Sequence, residues 1–248
     1  MTGLVIVTGG SRGIGAATAR LLAARGWLPC VSYRDRDEAA KQVVADCVAR
    51  GAQALAVRAD VSVEADVLRL FETAEAELGP VRGLVNNAGI VGPKSEVADM
   101  DVARLSQMLN VNVLGSLLCA REAVRRMSTT RGGTGGAIVN VSSRATTLGS
   151  PGEYVDYAAS KGAVDTLTIG LAREVATQGI RVNAVRPGLI DTEIHASGGQ
   201  PDRAQRLASA IPMGRPGRAE EIAEAIAWLL SDEASYTTGA LLDVGGGR

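Results

Sequence analysis

Short apolar runs alternate with longer alanine-rich segments along the chain, and this alternation restricts the fold more than any other feature of the sequence. Runs that are apolar nearly throughout, such as Leu4 to Val7 and Ala137 to Val141, are typical of strands covered on both faces. Regular strand–helix alternation favours a parallel sheet with right-handed crossovers. The 248 residues suit one such sheet with its helices. We predict a single α/β domain over residues 1–248, with a doubly wound, seven-stranded parallel sheet and helices on both faces.

The predicted strands span residues 3–8, 28–33, 53–58, 82–86, 136–142, 180–186 and 240–244. The predicted helices span residues 13–25, 36–50, 63–78, 101–127, 152–178 and 219–230. The glycine-rich stretch 132–136 indicates a surface turn. The segment from Gly188 to Arg218 is long for a connection, has a short helical pattern around 202–210, and follows a strand's carboxyl end. Long loops there are usually functional, so we predict a substrate lid at about 188–218.

The first predicted strand is followed by a glycine-rich turn, Thr8-Gly9-Gly10-Ser11-Arg12-Gly13-Ile14-Gly15, and then by a helix. Glycines let a backbone turn tightly and approach a pyrophosphate, and a helix N-terminus offers that group free N–H donors. The spacing is Gly-x3-Gly-x-Gly rather than the standard Gly-x-Gly-x2-Gly, but the position between strand and helix supports the same use. We predict a dinucleotide site that includes Gly9, Ser11, Arg12, Gly13, Ile14 and Gly15.

The end of the second strand indicates which nicotinamide cofactor fits. An acidic residue there would bind the ribose 2′-hydroxyl, whereas an arginine would accept a 2′-phosphate. Tyr33 ends the strand and Arg34 follows it, and Arg12 could reach the same phosphate. We therefore predict NADP. NAD is the alternative, because Asp35 lies about 20 residues beyond Gly15, where an acidic residue can bind the ribose 2′-hydroxyl. The plainer interpretation of residues 35–38 is a solvated charged turn.

Tyr157 and Lys161 are four residues apart on a predicted helix, so their side chains leave the same face. A free tyrosine loses its proton near pH ~10, and a neighbouring ammonium favours the phenolate. A tyrosine tuned in this way can exchange a proton with a substrate oxygen near neutral pH. The chain has 26 Lys+Arg but only three lysines, Lys41, Lys94 and Lys161, so a lysine beside this tyrosine is notable.

Six motifs occur in order at suitable intervals: Thr8-Gly9-x3-Gly13-x-Gly15, Asn86-Asn87-Ala88-Gly89, Asn112-Val-Leu-Gly115, Ser142-Ser143, Tyr157-x3-Lys161 and Pro187-Gly188. Over essentially its whole length the chain resembles the short-chain dehydrogenase/reductase family. Within that family it is similar to the 3-oxoacyl-acyl-carrier-protein reductase and glucose dehydrogenase-like branch. The resemblance implies a Rossmann fold and reversible reduction of a carbonyl group.

The resemblance also implies a catalytic set. Tyr157 would be the general acid in the reduction direction, and Lys161 would lower its pKa and hydrogen-bond the nicotinamide ribose. Ser143 would orient the substrate oxygen. Ser142 alternates to the other strand face, so only one of the two serines can serve. Asn112 would hold a water that links Lys161 to solvent; the alternative is a helix-interior asparagine bonded to a backbone carbonyl.

Further cofactor contacts follow from the same resemblance. Asp60 and Val61 would flank the adenine ring, and the small residues after the fourth strand would let the ribose approach the backbone. Pro187 and Gly188 would end the sixth strand beside the nicotinamide. The cofactor-binding set outside the glycine turn is Tyr33, Arg34, Asp60, Val61, Asn87, Ala88, Gly89, Tyr157, Lys161, Pro187, Gly188, Ile190 and Thr192.

The interval from Ser143 to Tyr157 is one residue longer than in many relatives. Tyr154 lacks a lysine four residues on, so we interpret it as a wall of the substrate site. His195, the only histidine, lies in the lid, where a surface or substrate contact is favoured over a role as a base. The predicted pocket rim is Arg144, Thr146, Glu153, Tyr154 and the 189–210 lid, which favours a compact, polar carbonyl compound over a steroid.

Composition argues against other function classes. Hydrophobic residues make up 46% and charged residues 21%, with a net charge of −1, so neither disorder nor a nucleic-acid surface is indicated. No apolar run is long enough to span a bilayer, and the N-terminal run is too short for a signal peptide. Cys30, Cys47 and Cys119 are odd in number and lie among apolar residues. We predict buried free thiols, no metal site, no membrane partner and a cytoplasmic location.

The sequence therefore predicts an NADP(H)-dependent oxidoreductase that reduces a small carbonyl compound. The alternatives are an NAD-linked sugar or polyol dehydrogenase, a 3-oxoacyl-acyl-carrier-protein reductase, or a protein that binds the cofactor without catalysis. An acyl-carrier-protein substrate would need a basic docking patch on this chain. The arginines that could supply it are Arg121, Arg125, Arg126 and Arg131, but we favour the interpretation that they form a solvated helix end. The resemblance implies a homotetramer in which helices 101–127 and 152–178 and the run 239–244 pack against other copies, with a dimer as the alternative.

Overall fold

Seven parallel strands form one sheet in the computed structural model, which describes residues 2–248. Their order across the sheet is β3-β2-β1-β4-β5-β6-β7, and every neighbouring pair is parallel. The predicted doubly wound sheet is thereby confirmed. The strands are β1 (Leu4–Val7), β2 (Leu28–Tyr33), β3 (Leu55–Arg58), β4 (Val81–Asn86), β5 (Gly136–Val141), β6 (Ile180–Pro187) and β7 (Leu241–Val244).

Helices cover both faces of this sheet. They are α1 (Gly13–Ala24), α2 (Asp37–Val48), α3 (Glu64–Leu78), α4 (Val102–Leu109), α5 (Gly115–Met127), α6 (Ala145–Leu148), α7 (Val155–Val175), α8 (Ile194–Ser197), α9 (Arg203–Arg206) and α10 (Ala219–Leu230). Within residues 2–248, no helix is long and apolar enough to cross a membrane.

The hydrophobic core has two layers, one on each face of the sheet. One layer packs α1, α2 and α10 against the strands and includes Leu22 and Ile226. The other packs α3, α5 and α7 and includes Phe71 and Met127. All four residues of β1 are fully buried, as expected for a strand covered on both faces. Each buried large apolar side chain contributes about 1.5–3 kcal/mol, so both helical layers are needed to hold the central strands.

The strand order reverses beside β1, which pairs with β2 on one side and β4 on the other. The chain builds the sheet outward to β3, crosses back to β4, and then builds the other half. Because the loops after β1 and β4 leave in opposite directions, a crevice opens at their carboxyl ends. This crevice positions the candidate site.

Two of the predicted helices differ from the structure. The predicted helix 101–127 is three pieces, because a π-helical segment, Asn110–Leu114, separates α4 from α5. The predicted helix 152–178 begins only at Val155, since Gly152 has a φ of +67° that breaks the helix, and it ends as a short 3-10 turn after Val175. The remaining predicted elements are confirmed to within about two residues, the usual uncertainty of an element boundary.

Candidate active site

The glycine turn after β1 needs glycine for two separate reasons. Gly9 and Gly13 have φ angles of +62° and +51°, a region that favours residues without a Cβ. A Cβ on Gly15 would lie 2.6 Å from the Gly9 carbonyl oxygen and 2.5 Å from the Asn87 side-chain nitrogen. Because α1 begins at Gly13, the free N–H groups of its first turn lie at the cavity that this turn borders.

The loops after β1 and β4 are bonded to each other. The Thr8 hydroxyl accepts hydrogen bonds from the backbone N–H groups of Asn87 and Ala88, each at 3.0 Å. The Asn87 side chain donates back to the carbonyls of Thr8 and Gly9, at 2.9 and 3.1 Å. These bonds fix the crevice beside β1, where the strand order reverses. A cavity of about 250 Å³ lies next to them.

Most of the predicted cofactor residues line this first cavity. The set is Gly9, Ser11, Arg12, Gly13, Ile14, Tyr33, Arg34, Asp60, Val61, Asn87, Ala88, Gly89 and Thr192. Gly15 lies behind it and is required by packing instead. The sequence analysis did not assign Arg36, which also lines the cavity. Arg36 lies in the same charged turn as Arg34, and this position could have identified it as a cofactor-binding candidate.

Arginines dominate the polar part of this cavity. Arg34 is exposed and forms an ion pair of 2.6 Å with its neighbour Asp35. The Arg12 guanidinium donates to the carbonyl oxygen of Glu193 at 3.3 Å, so the glycine turn contacts the lid. Burial and the charge of Arg36 lower the pKa of Arg12. This cationic, glycine-lined cleft has the donors that the pyrophosphate and a 2′-phosphate of a nicotinamide dinucleotide need.

Tyr157 and Lys161 lie on α7 where it crosses the carboxyl end of β5. Asp156 lies in the first turn of this helix, and its carboxylate accepts the Tyr157 N–H at 2.9 Å and the Arg104 guanidinium at 2.8 Å. The Lys161 ammonium is buried, lies 5.8 Å from the centroid of the Tyr157 ring, and donates to the Val141 carbonyl at 2.7 Å. An ammonium has three donors, so two of them remain for other partners.

The two adjacent serines face different surroundings, as strand alternation requires. The Ser143 side chain lines the cavity beside Tyr157, lowers the pKa of that tyrosine, and accepts the Ala145 N–H at 3.1 Å. Ser142 is buried and donates to the Lys161 carbonyl at 3.3 Å. The geometry therefore brings Ser143, and not Ser142, to the tyrosine hydroxyl.

The expected lowering of the tyrosine pKa is not observed. Burial raises the pKa of Tyr157 above its ordinary value, and the hydrogen bond from Ser143 opposes this only in part. Lys161 contributes no lowering because its ammonium is bonded to Val141, away from the hydroxyl. Burial also lowers the pKa of Lys161 to about 8, against an opposing effect of Asp165. The phenol therefore carries its proton at neutral pH, and the lysine is still charged there.

Asn112 lies inside the π-helical segment and is fully buried. Its side chain accepts the Ile90 N–H at 2.8 Å and donates to the Ile90 carbonyl and to the Ser160 hydroxyl, each at 3.0 Å. These bonds tie the loop that follows Gly89 to the catalytic helix. The side chain is thus occupied by protein partners, and its predicted contact with a water stays a prediction.

A second cavity, of about 370 Å³, continues from the first beyond Tyr157. The two cavities share Ile14, Asn87, Gly89, Thr192 and Ile194, so they form one cleft. The second is lined by Ser143, Tyr157, Lys161, Pro187, Gly188 and Ile190, as predicted, and by Leu189 of the predicted lid. It is also lined by Val91 and Leu148, which the sequence analysis did not assign. Of the predicted rim, Thr146 does not line the cavity because its hydroxyl donates to the Ser143 carbonyl.

The lid closes one side of this second cavity. Arg203 on α9 contacts Glu153 and Tyr154, which precede α7. The His195 ring nitrogen Nε2 bonds the Ile190 carbonyl at 2.8 Å, and burial lowers the pKa of this imidazole. This bond to its own loop gives the histidine a structural contact, while its predicted surface or substrate contact stays a prediction.

The three cysteines are buried free thiols, as predicted. Burial raises the pKa of Cys30 and of Cys119 to about 12, so neither is a thiolate near neutral pH.

Comparisons with known proteins extend over the whole chain. A family model described as enoyl-(acyl carrier protein) reductase matches residues 9–248. The uncharacterized oxidoreductase YgfF of Escherichia coli (strain K12) is 55% identical over 245 residues, covering 99% of each chain. Cis-4-hydroxycyclohexanecarboxylate dehydrogenase of Sinomonas cyclohexanicum is 44% identical, covering 98% of this chain and 95% of that protein. A solved Serratia marcescens short-chain dehydrogenase/reductase mutant has a TM-score of 0.91 at 34% identity, covering 99% of this chain and 97% of that one.

Proposed function

The chain belongs to the short-chain dehydrogenase/reductase family, and from this premise we propose that it is an NADP(H)-dependent oxidoreductase that reversibly reduces a small carbonyl compound. Family membership supports action on alcohol or carbonyl groups with a nicotinamide cofactor. One observation carries the proposal: Tyr157 and Ser143 line the substrate cavity together, and this cavity joins the arginine-lined first cavity.

Tyr157 donates the proton to the substrate carbonyl oxygen in the reduction direction. Burial raises its pKa, so the proton is present at neutral pH and is released as negative charge develops on the substrate oxygen. Ser143 already accepts the Ala145 N–H, which leaves its own O–H as a donor to the same oxygen. In the oxidation direction Tyr157 must first lose its own proton, and its phenolate then takes the proton of the alcohol while Ser143 hydrogen-bonds the substrate oxygen.

Lys161 and Asn112 support this proton transfer. Below pH 8 the lysine is charged, but it does not lower the pKa of Tyr157, so we assign its support to binding of the cofactor. Its unused N–H groups would bind the ribose hydroxyls of the cofactor. Asn112 ties the loop after Gly89 to α7, and the proposed water at this residue would link Lys161 to solvent.

When bound, the nicotinamide ring supplies the hydride for reduction. The glycine turn would hold the pyrophosphate, and the small residues after β4 would lie under the adjoining ribose. Pro187, Gly188, Ile190 and Thr192 would contact the nicotinamide end of the cleft. These four residues line the second cavity, next to Tyr157.

Three arginines support NADP over NAD. Arg12, Arg34 and Arg36 line the adenosine end of the cleft, where guanidinium groups suit a 2′-phosphate. Asp35, the residue on which an NAD interpretation depends, is paired with Arg34 at 2.6 Å. A 2′-phosphate would replace this exposed pair with a doubly charged partner.

The size of the second cavity supports a compact substrate. Its volume is about 370 Å³, near the lower end for ligand sites, and part of it must receive the nicotinamide. A 3-oxoacyl-carrier-protein substrate is less well supported. Glu122 neutralises the arginines of the candidate docking patch, with Arg125 at 2.8 Å and Arg126 at 2.6 Å, and Glu64 pairs with Arg121.

We also propose a homotetramer in the cytoplasm. Leu114 and Leu117 are exposed by 42% and 45% at the start of α5, and Trp228 and Tyr236 are exposed near the C-terminal strand. Two separate apolar faces are what a tetramer with two kinds of contact needs. Light scattering after gel filtration measures the number of chains directly.

Titration of the purified protein with NADPH and with NADH, followed by a panel of small ketones and aldehydes at saturating cofactor, tests the function. We expect tighter binding of NADPH and turnover of at least one panel member. Tighter binding of NADH would mean that the cofactor is NAD and that Arg34 does not bind a 2′-phosphate. Binding of neither dinucleotide would overturn the proposed function.

A further inference from the structure

The substrate cavity is lined by a largely buried arginine that the proton-transfer chemistry does not use. Arg203 on the lid lines this cavity, and its side chain is only 12% exposed. Its Nη1 donates to the Glu153 carboxylate at 2.7 Å, and its guanidinium carbon lies 5.1 Å from the centroid of the Tyr154 ring. A guanidinium has five N–H donors. Within residues 2–248 only this one hydrogen bond engages them, so the others are available at the cavity.

The guanidinium is held from two sides. Tyr154, the ring it stacks on, is buried and accepts a hydrogen bond from Gln200 through its hydroxyl. Glu153 is anchored through its carbonyl, which accepts the Ser95 N–H at 3.1 Å. A charged group already fixed in place loses little conformational entropy when it binds a ligand. Arg203 is therefore preorganised and not a mobile surface arginine.

Three of the other basic groups of the cavity are committed elsewhere. Arg144 donates to Asp243 and to the Arg248 carbonyl, at 2.6 and 2.7 Å. His195 donates to the Ile190 carbonyl, and burial lowers its pKa, so it is neutral near pH 7. Lys161 belongs to the catalytic set. Among the described residues, Arg203 and Arg248 are the remaining cations of the cavity, and Glu153 is the only side-chain carboxylate that lines it. Arg203 is the cation that an aromatic ring and a carboxylate hold in place.

We propose that Arg203 binds a carboxylate on the substrate, so that the preferred substrates are short oxo acids and the corresponding hydroxy acids. A planar guanidinium with free edge donors matches a carboxylate in charge and in forked geometry. The proposal rests on the proposed carbonyl reduction and names its substrate class. Glu153 is an internal competitor in this arrangement: it positions Arg203 and also neutralises part of its charge.

The test uses 3-oxobutanoate, 4-oxopentanoate and 5-oxohexanoate, each beside its neutral carboxamide, with NADPH. The series varies the separation of carbonyl and carboxylate, so it also measures the distance the site accepts. We expect kcat/KM for at least one acid to exceed that of its amide roughly 10- to 100-fold, the effect of hydrogen bonds to a charged group. R203Q should remove this preference by raising KM for the acid while leaving kcat little changed.

Two further variants separate substrate binding from a structural latch. E153Q frees Arg203 from its internal partner, so it should lower KM for the acid several-fold and leave the amide unaffected. A pure latch between lid and helix predicts that R203Q and E153Q raise KM for acid and amide alike, and that result would overturn the proposal. R203K keeps the positive charge but loses the forked hydrogen-bond donors of the guanidinium, so it should keep only part of the preference for acids over amides.

Arg206→Gln is the matched control. Arg206 is on the same helix, is half exposed, lies outside the cavity and donates to Gln200 at 2.6 Å. Its substitution should leave the preference for acids in place. Amides reduced as well as acids by the wild type would overturn the carboxylate site while leaving the proposed function standing. Failure to bind either dinucleotide and to reduce any acid or amide would instead overturn the proposed function itself.

Discussion

The two ends of the cleft are built in opposite ways. At the adenosine end, the ion pair beside the cavity joins neighbours in the sequence and lies open to solvent: Arg34 pairs with Asp35, and their side chains are 50% and 60% exposed. At the substrate end, Arg203 reaches across 50 residues to Glu153, and their side chains are 12% and 26% exposed. The first end depends on local sequence, whereas the second exists only when lid, catalytic helix and strand ends have come together.

This difference affects what each end can change without loss of the fold. Exposed ion pairs contribute about 0–1 kcal/mol, so the arginines at the adenosine end can exchange an aspartate for a phosphate at little cost. Breaking a buried pair leaves a charge without a partner and costs several-fold more. We therefore expect substitutions at the substrate end to affect catalysis strongly and substitutions at the adenosine end to affect the choice of cofactor.

Tyr157→Phe should have the largest effect. It removes the proton donor while keeping the ring, so turnover should fall at least about 1,000-fold, at the middle of the range for a general acid. NADPH affinity should stay within a few-fold, because the hydroxyl is not part of the arginine-lined cleft. Steady-state rates and a fluorescence titration measure the two quantities. Turnover near the wild-type rate would mean that another group donates the proton.

Ser143→Ala and Ser142→Ala form a matched pair on adjacent residues. Removing the Ser143 hydroxyl should lower kcat about 100- to 1,000-fold, the usual effect of losing a donor to a developing oxyanion. Ser142→Ala removes only a buried bond to the Lys161 carbonyl and should cost about 1 kcal/mol of stability with kcat within a few-fold. Equal losses of kcat in the two variants would show that both serines act through packing of α7.

The sheet could be predicted from the sequence because each strand is a short apolar run bounded by turn residues. The π-helical segment could not, because the apolar pattern continues without a break from α4 into α5 and carries no sign of the shift to i→i+5 bonding. The contacts that Asn112 makes with Ile90 lie 22 residues apart in the sequence. Such tertiary bonds override the local preference for a continuous helix.

The same limit applies to the site. The glycine turn and the Tyr157–Lys161 pair are contiguous motifs, so their residues could be assigned before the structure. The environment that sets the tyrosine pKa could not, since it depends on burial and on which partner Lys161 selects. Arg203 was not named as a site residue either, because its place at the cavity depends on its contacts with Glu153 and Tyr154, which are distant in the sequence.

Arg34→Ala tests the open end of the cleft. Losing one guanidinium at a phosphate should weaken NADPH roughly 10- to 100-fold and NADH by only a few-fold. Asp35→Asn is the paired control: it removes the partner of Arg34 and should tighten NADPH. If Asp35→Asn weakens NADH strongly and leaves NADPH unchanged, the aspartate holds a ribose hydroxyl and the NAD alternative is correct.

The smallest predicted effect concerns the pH dependence of stability at the buried end. Burial lowers the pKa of Lys161 to about 8 from its ordinary 10.5. Between these values the unfolded chain binds a proton that the native state has released, so the free energy of unfolding rises with pH. The gain is about 1 kcal/mol between pH 8 and 9 and should be absent in Lys161→Met, since the other titrating groups are common to both proteins. Denaturant unfolding of the two proteins at both pH values measures the difference. If the free energy of unfolding changes equally with pH in the two proteins, the lysine remains charged in the native protein across this range. Its ammonium would then lie closer to solvent or to Asp165 than in this structure.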